Sequence, residues 1–181
     1  MTVPLAARRR TLIDAAEIER IISRLAHQIV EPEDARALCI LGLRRGGEKL
    51  AHRLAEKIAQ IRGEAPPLGY LNINLYRDDD VTHDLPESSI PADVNGRTIV
   101  IVDDVLYTGR TVRAALDAVT DLGRPAAIRL CVLIDRGLRE LPVQPDYVGR
   151  FVPSSRREHV EVHLGTVPSS SDEVAIVAGE T

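Results

Sequence analysis

Cysteine is scarce: the 181-residue chain has two, Cys39 and Cys131. Both sit inside apolar, strand-like runs, Ala37-Leu38-Cys39-Ile40-Leu41 and Leu130-Cys131-Val132-Leu133-Ile134. Buried structural thiols are expected there, rather than a disulfide or a nucleophile. Lysine is nearly missing as well. Only Lys49 and Lys57 stand among 23 basic residues, and the rest are arginine. The planar arginine fork suits phosphate, but so uniform a bias reads as codon composition and carries no functional weight by itself. No apolar stretch is long enough to span a bilayer, and Met1 to Arg10 lacks the apolar segment of a secretory signal. A cytoplasmic protein with no membrane partner is therefore expected. Repeats, low-complexity tracts and a His, Cys, Asp and Glu cluster at metal-ligand spacing are also missing. The net charge of −4 and a pI near 5.7 argue against a general nucleic-acid coat and leave a local basic face open.

What the chain does have is a thirteen-residue string, Ile99-Val100-Ile101-Val102-Asp103-Asp104-Val105-Leu106-Tyr107-Thr108-Gly109-Arg110-Thr111. Its β-branched start reads as a central parallel strand covered on both faces, and ligands of such sheets collect beyond the carboxyl ends of the strands. Asp103 and Asp104 fall there. The following Thr108-Gly109-Arg110-Thr111 opens a helix, whose unpaired first amides and positive dipole end attract a phosphate. Gly109 lets the backbone approach closely and the threonines add donors. Two carboxylates beside a phosphate would repel it unless they face something else. A ribose diol fits, one hydroxyl to each, or a Mg²⁺ hydration shell. Two aspartates alone would read as a strand ending in solvated acids before a helix capped by Thr108 or Thr111. The whole string reads as the cradle of a 5-phosphorylated ribose.

With 44% hydrophobic residues the chain suits one compact domain, 1–181. Ile18, Ile21, Ile22, Leu25 and Ile29 repeat at helical spacing behind a capping box of Asp14 and Glu17, giving a helix to about Glu31 with Arg20, Arg24 and His27 on its exposed side. A strand at 37–41 and the loop Gly42 to Gly47 precede a helix marked by Leu50, Leu54, Ile58 and Ile61. Leu71, Ile73 and Leu75 alternate with polar residues, predicting a strand that ends at Tyr76. Residues 77–91, with three consecutive Asp and no period, form an unusually long loop, either an acidic excursion or a flexible lid. Strand 98–102, helix 111–122 stopped by Gly123, and strand 127–135 continue a β-α alternation. The core is thus expected within 14–135. Short β pieces near 147–152, 160–164 and 174–177 suggest an antiparallel hood within 136–178.

The string at 99–111 resembles the signature of type I phosphoribosyltransferases, which bind phosphoribosyl pyrophosphate (PRPP). With Asp121-Leu122-Gly123-Arg124-Pro125, Asp135-Arg136-Gly137, Arg139-Glu140-Leu141-Pro142 and Asp146-Tyr147-Val148-Gly149, the chain from about Ile18 to Val177 is similar to the pyrimidine operon attenuator and uracil phosphoribosyltransferase family. The resemblance implies an α/β fold with a mostly parallel sheet flanked by helices, an antiparallel hood and a long flexible loop. It implies uracil and PRPP as substrates, uridine monophosphate (UMP) and pyrophosphate as products, and Mg²⁺ carried mainly by PRPP. Residues 103–111 would hold the phosphate and ribose, with Asp103, Asp104 and Arg77 catalytic, Arg77 reaching the pyrophosphate from the mobile loop. Arg44, Arg45 and Gly46 would form the pyrophosphate loop, and glycines there would tolerate the unusual peptide geometry of relatives. Arg136 and the backbone of Val160 would meet the base.

The same family includes RNA-binding attenuators that, with UMP bound, grip a pyrimidine-operon leader transcript. Ser23, His27 and Arg139 match that surface, whose expected form is a homodimer or a higher homo-oligomer. The chain departs from the pattern in three places. Arg45-Gly46-Gly47 replaces the usual Thr-Arg-Gly, Leu138 a histidine, and Gln144 an arginine. Losing two donors from a phosphate-contacting face ranks RNA regulation below PRPP binding. Two alternatives stay open: an RNA-binding regulator with little or no catalysis, and a phosphoribosyltransferase for a purine base.

Overall fold

The computed structural model describes residues 9–32, 37–76, 86–91 and 93–179. A strand β1 (Arg9–Ile13) runs into helix α1 (Ala15–Val30). Asp14 caps this helix, its carboxylate accepting the Glu17 N–H at 2.8 Å. Ile18, Ile21, Ile22, Leu25 and Ile29 form one buried stripe, each worth about 2 kcal/mol of transfer free energy. There follow β2 (Leu38–Leu43), α2 (Gly47–Arg62), β3 (Leu68–Leu71), a 3₁₀ turn (Asn74–Tyr76), β4 (Thr98–Leu106), α3 (Arg110–Leu122), β5 (Ala127–Asp135), β6 (Tyr147–Phe151), β7 (Glu158–His163) and β8 (Glu173–Ala178).

Five strands make a parallel sheet in the order β3-β2-β4-β5-β6, and three make an antiparallel sheet in the order β1-β8-β7. β4 lies in the middle of the parallel sheet. Its alternate residues serve two cores, since Val100 and Val102 pack with α1 and α2 while Ile99 and Ile101 pack with α3. This two-sided burial is why the run 99–102 is continuously apolar. It also points the carboxyl end of the strand, with its aspartates, at the open rim of the sheet.

The expected fold class is present, with corrections in its parts. β4 continues through both aspartates to Leu106, held by register with β5 as far as Leu106 opposite Asp135. The strand expected to end at Tyr76 lies earlier, at β3, and the alternation of Leu71 and Ile73 runs out into the 3₁₀ turn. β6 joins the parallel sheet beside β5 and is not part of the hood. The hood instead recruits β1 from before the first helix. The reciprocal arm of the capping box is replaced too, because the Glu17 carboxylate pairs with Arg150 at 2.9 Å. Of the long loop, 77–85 lies outside the described residues. Its far end is tacked back onto β3, where Tyr70 and Ser89 exchange backbone hydrogen bonds of 2.9 and 2.8 Å.

A buried charge cluster seats the hood on the helices. Arg53 of α2 binds Asp172 at 2.6 Å and also pairs with Glu19 of α1. Burial disfavours the Asp172 charge, but hydrogen bonds from the Gly165 N–H, Arg53 and the Ser169 N–H outweigh it and hold the carboxyl below its usual range. Both cysteines are buried as expected. Desolvation pushes Cys39 up to about 11 and Cys131 up to about 12, against opposing effects of Arg97 and Arg24, so neither supplies a thiolate. No helix among the described residues is long and apolar enough to cross a membrane.

Candidate functional site

The carboxyl end of β4, the turn 107–109 and the first turn of α3 enclose a cavity of about 350 Å³ lined by Asp103 and residues 105–112. Gly109 is the N-cap of α3 at φ 93°, a left-handed conformation that glycine takes without a Cβ clash. The N-cap glycine has no side chain to cap the helix, and the Thr108 Oγ1 accepts the Arg110 N–H at 3.4 Å, a long bond that partly fills the capping role considered for Thr108. The first amides of α3 and the hydroxyl of Thr108 thus face a concave, anion-favouring space.

A second cavity, about 280 Å³, adjoins the first and shares Asp103, Val105 and Thr111 with it. Its other walls are Asp104, Arg44, Arg45, Gly46, Ile73 and Asn74. Two anion-favouring spaces therefore meet over one carboxylate. That arrangement suits an elongated ligand with a polar, uncharged middle.

Asp103 is buried and Asp104 half-buried. The Asp103 Oδ1 accepts the Asp104 N–H at 3.0 Å, and the Asp104 Oδ1 accepts the Val105 N–H at 2.7 Å. Burial pushes the Asp104 carboxyl up, outweighing the lowering by its hydrogen bonds from Val105 and Asp103. The Asp104 charge is therefore held at a cost, and a ligand that donates to it relieves that cost.

The loop between β2 and α2 presses directly on this pair. A Cβ at position 46 would lie 2.4 Å from the Asp104 Oδ1, and one at 47 would lie 1.9 Å from the Val102 carbonyl oxygen. Two glycines are the condition for this approach. The backbone strain expected at those glycines falls instead on Arg45, a non-glycine at φ 83°. Arg45 lines the second cavity and also a smaller one of about 80 Å³, with Lys49, Glu48, Asp104, Val162 and Leu164.

Arg44 lines the second cavity, but its guanidinium is committed elsewhere: to Glu48 at 2.5 Å, to the Glu87 carbonyl at 2.9 Å, and over the Tyr70 ring at 5.3 Å. Sequence pairs it with Arg45; tertiary structure separates their roles. Arg77 lies outside the described residues. The residue before it, Tyr76, donates to Asp121 of α3 at 2.9 Å. Arg136 is buried, and its guanidinium bonds Ser154 and the carbonyls of Ser155 and Glu158. Those bonds use its Nε and Nη2. Val160 is on β7, the hood edge strand whose neighbours Val162 and Leu164 face Asp104 across the small cavity.

Of the three residues matched to an RNA surface, Ser23 and His27 lie on α1, where the Ser23 carbonyl is 2.8 Å from the His27 Nδ1. Arg139 is half-buried. It spends four hydrogen bonds on Tyr107, Gly137, Val143 and Asp135, bracing the turn after β4. The neighbouring Glu140 and Leu141 amides both donate to the Thr108 carbonyl, at 2.9 and 3.1 Å. The bracing role of this segment is one that the local sequence leaves unmarked, as is the place of Ile73, Asn74 and Lys49 on the cavity walls. Among the described residues no group of three or more His, Cys, Asp and Glu is placed to hold a metal ion.

The chain matches the family model of the phosphoribosyl transferase domain over residues 10–165. It is 49% identical over 176 residues to the bifunctional protein PyrR of Roseiflexus sp. (strain RS-1), covering 93% of this chain and 94% of that protein. To the bifunctional protein PyrR of Pelotomaculum thermopropionicum it is 46% identical over 181 residues, covering 97% and 100%. Among solved structures, a hypoxanthine-guanine phosphoribosyltransferase of Bacillus anthracis superposes with a TM-score of 0.66 at 18% identity, covering 82% of this chain and 85% of that one. At that identity the likeness extends to the fold alone.

Proposed function

Because the chain belongs to the phosphoribosyl transferase family, we propose that it moves the phosphoribosyl group of PRPP onto uracil, giving UMP and pyrophosphate. The observation that carries this reading is the pair of cavities meeting over Asp103. In it the 5-phosphate takes the first cavity, on the amides of α3 and the Thr108 hydroxyl, and the ribose diol donates to Asp103 and Asp104. The pyrophosphate lies in the second cavity against the amides of the 45–47 loop, with the Arg45 cation and Arg77 beside it. The base lies toward the β7 edge, where the backbone around Val160 offers the paired donor and acceptor a pyrimidine needs.

In the reaction the bond from C1 of ribose to the pyrophosphate oxygen breaks, the bond from C1 to N1 of uracil forms, and the N1 proton is lost. The sugar passes through an oxocarbenium-like state, so the protein's share is positioning and charge compensation. Asp103 and Asp104 orient the ring through its hydroxyls and place negative charge near the developing cation. Arg45 offsets charge on the departing pyrophosphate. The two carboxylates are hard oxygen donors that suit Mg²⁺ arriving with PRPP, and the ion would neutralise pyrophosphate charge.

Relatives named bifunctional support a second role, UMP-dependent binding to a pyrimidine-operon leader RNA, with Ser23 and His27 of α1 and Arg139 as contacts. We also assign the chain, read as one domain, to the cytoplasm as a homodimer or larger homo-oligomer. Incubating the purified protein with Mg²⁺, PRPP and each of uracil, hypoxanthine and guanine tests the catalytic reading. UMP formation supports it, a purine nucleotide moves the assignment to another base, and no product from any base refutes it as an enzyme. Filter binding of a leader transcript with and without UMP tests the second role, which fails if no binding occurs at low salt.

A further inference from the structure

We infer that Arg136 is a positioning residue that joins the phosphate end of the pocket to its base end, an assignment that rests on the proposed function above. Three observations carry it. The Arg136 guanidinium stacks on the Tyr107 ring, 4.2 Å from its centroid, and Tyr107 lines the first cavity. Its Nε donates to the Ser154 hydroxyl at 2.8 Å, and its Nη2 donates to the carbonyls of Ser155 and Glu158 at 2.9 and 2.6 Å. Its backbone N–H donates to the Leu106 carbonyl at 3.1 Å.

Those partners belong to two separate segments. Tyr107 and Leu106 belong to the phosphate turn. Ser155 and Glu158 bound the tight turn that launches β7, where the Glu158 N–H reaches the Ser155 carbonyl at 3.2 Å and the Glu158 carboxylate accepts the Ser155 N–H at 2.7 Å. Val160 follows two residues later on the edge strand. Both hydrogens of Nη2 are used within that turn, and one face of the fork is covered by the tyrosine ring. The side chain is 6% exposed as a whole residue, which leaves it little surface for a base. A rigid, planar, doubly anchored cation is the side chain that can hold a ring and a turn at a fixed spacing.

The two ligands ribose 5-phosphate and UMP separate positioning from base contact, because the first has no base. Calorimetric titration of wild type, Arg136→Met, Tyr107→Leu and the Arg136→Met, Tyr107→Leu double variant tests the inference. Loss of a desolvated cation–π stack predicts that Arg136→Met weakens UMP by about tenfold or more and ribose 5-phosphate by about threefold or more. The double variant is no weaker than Arg136→Met by more than about twofold, the mark of one shared interaction. Unchanged ribose 5-phosphate affinity in Arg136→Met, or fully additive losses, would overturn the inference. Should Arg136→Met fail to fold, Ser154→Ala removes one anchor alone and is expected to weaken both ligands by about twofold or more; no change in either counts against the inference. If wild type binds neither ligand, the reading of the pocket fails, a distinct result.

Discussion

Asn at position 104 is expected to make the protein more stable and worse at binding PRPP. The Asp104 carboxylate is held half-buried beside Asp103, and burial raises its affinity for a proton. In Asp104→Asn the amide oxygen can still accept the Val105 N–H, now made at 2.7 Å, while the cost of burying a charge disappears. The gain is about 1 kcal/mol, or about 2–4 °C in Tm for a chain of this size. Against that, a hydrogen bond from a ribose hydroxyl to a charged acceptor contributes about 1.5–3 kcal/mol, so PRPP affinity should fall by about tenfold to a hundredfold. The pH dependence has a definite sign. A group whose folded pKa is raised contributes stability below its unfolded pKa, near 3.9 for Asp, and loses it as pH rises through the folded value. The stability advantage of the Asn variant should therefore vanish in acid and grow as pH rises. Thermal melts across pH, with calorimetric titration of PRPP and Mg²⁺, measure both quantities. Unchanged PRPP affinity, or a Tm several degrees below wild type at neutral pH, would refute the assignment of Asp104 to the diol.

Arg45→Gly removes a left-handed non-glycine at φ 83°. We expect stability to rise by no more than about 1 kcal/mol and inhibition by free pyrophosphate to weaken by about tenfold, read from melts and product-inhibition assays. Gly47→Ala places a Cβ 1.9 Å from the Val102 carbonyl oxygen, in backbone that cannot retreat because β4 is central. A loss of about 3 kcal/mol or more, or insoluble protein, is expected, and a normal melting temperature would show that the loop can lift off the strand. Asp172→Asn leaves Arg53 buried with Glu19 alone, costing about 3 kcal/mol at neutral pH. Since the folded pKa of Asp172 is depressed, its contribution is present above about pH 4 and lost as pH falls through the folded value. The gap between wild type and variant should close in acid, as chemical denaturation at successive pH values will show.

The parts of this fold that could be read from sequence are those whose physics is local. The stripe of α1, the stop of α3 at Gly123 and the strand 127–135 each follow from periodicity or a single breaker residue. Tyr147-Val148-Gly149-Arg150-Phe151 carries no sign of which sheet β6 joins; register with β5 decides that. β1 is hidden for the same reason, since Arg9 to Ile13 becomes a strand only by pairing with β8. At the site, the phosphate turn was legible because one contiguous string builds it. The wall formed by Ile73 and Asn74, and the brace of Glu140 and Leu141 on the Thr108 carbonyl, are contacts between distant segments. For arginines the sequence marks a cation but not its destination. Arg44, Arg136 and Arg139 each make guanidinium hydrogen bonds within the protein.

The altered loop Arg45-Gly46-Gly47 has a physical account in the approach of α2 to β4. Position 46 sits so close to both aspartates that a Cβ there would meet the Asp104 Oδ1 at 2.4 Å and the Asp103 Oδ1 at 2.9 Å. An arginine at 46, as in the usual Thr-Arg-Gly pattern, would need the loop lifted away from the pair. Glycine at 46 lets the loop descend, and the cation moves back to 45. There it enters the same cavity at the cost of a positive φ, about 1 kcal/mol. The displaced arginine and the strained residue are thus one adjustment, and they make a coupled expectation. Restoring the usual order with Arg45→Thr and Gly46→Arg together should move Asp104 out of its bond to the Val105 N–H. The double variant would then resemble Asp104→Asn in its weakened PRPP binding while lacking the gain in melting temperature. Tight PRPP binding with a higher Tm would break the link between this loop and the aspartate pair.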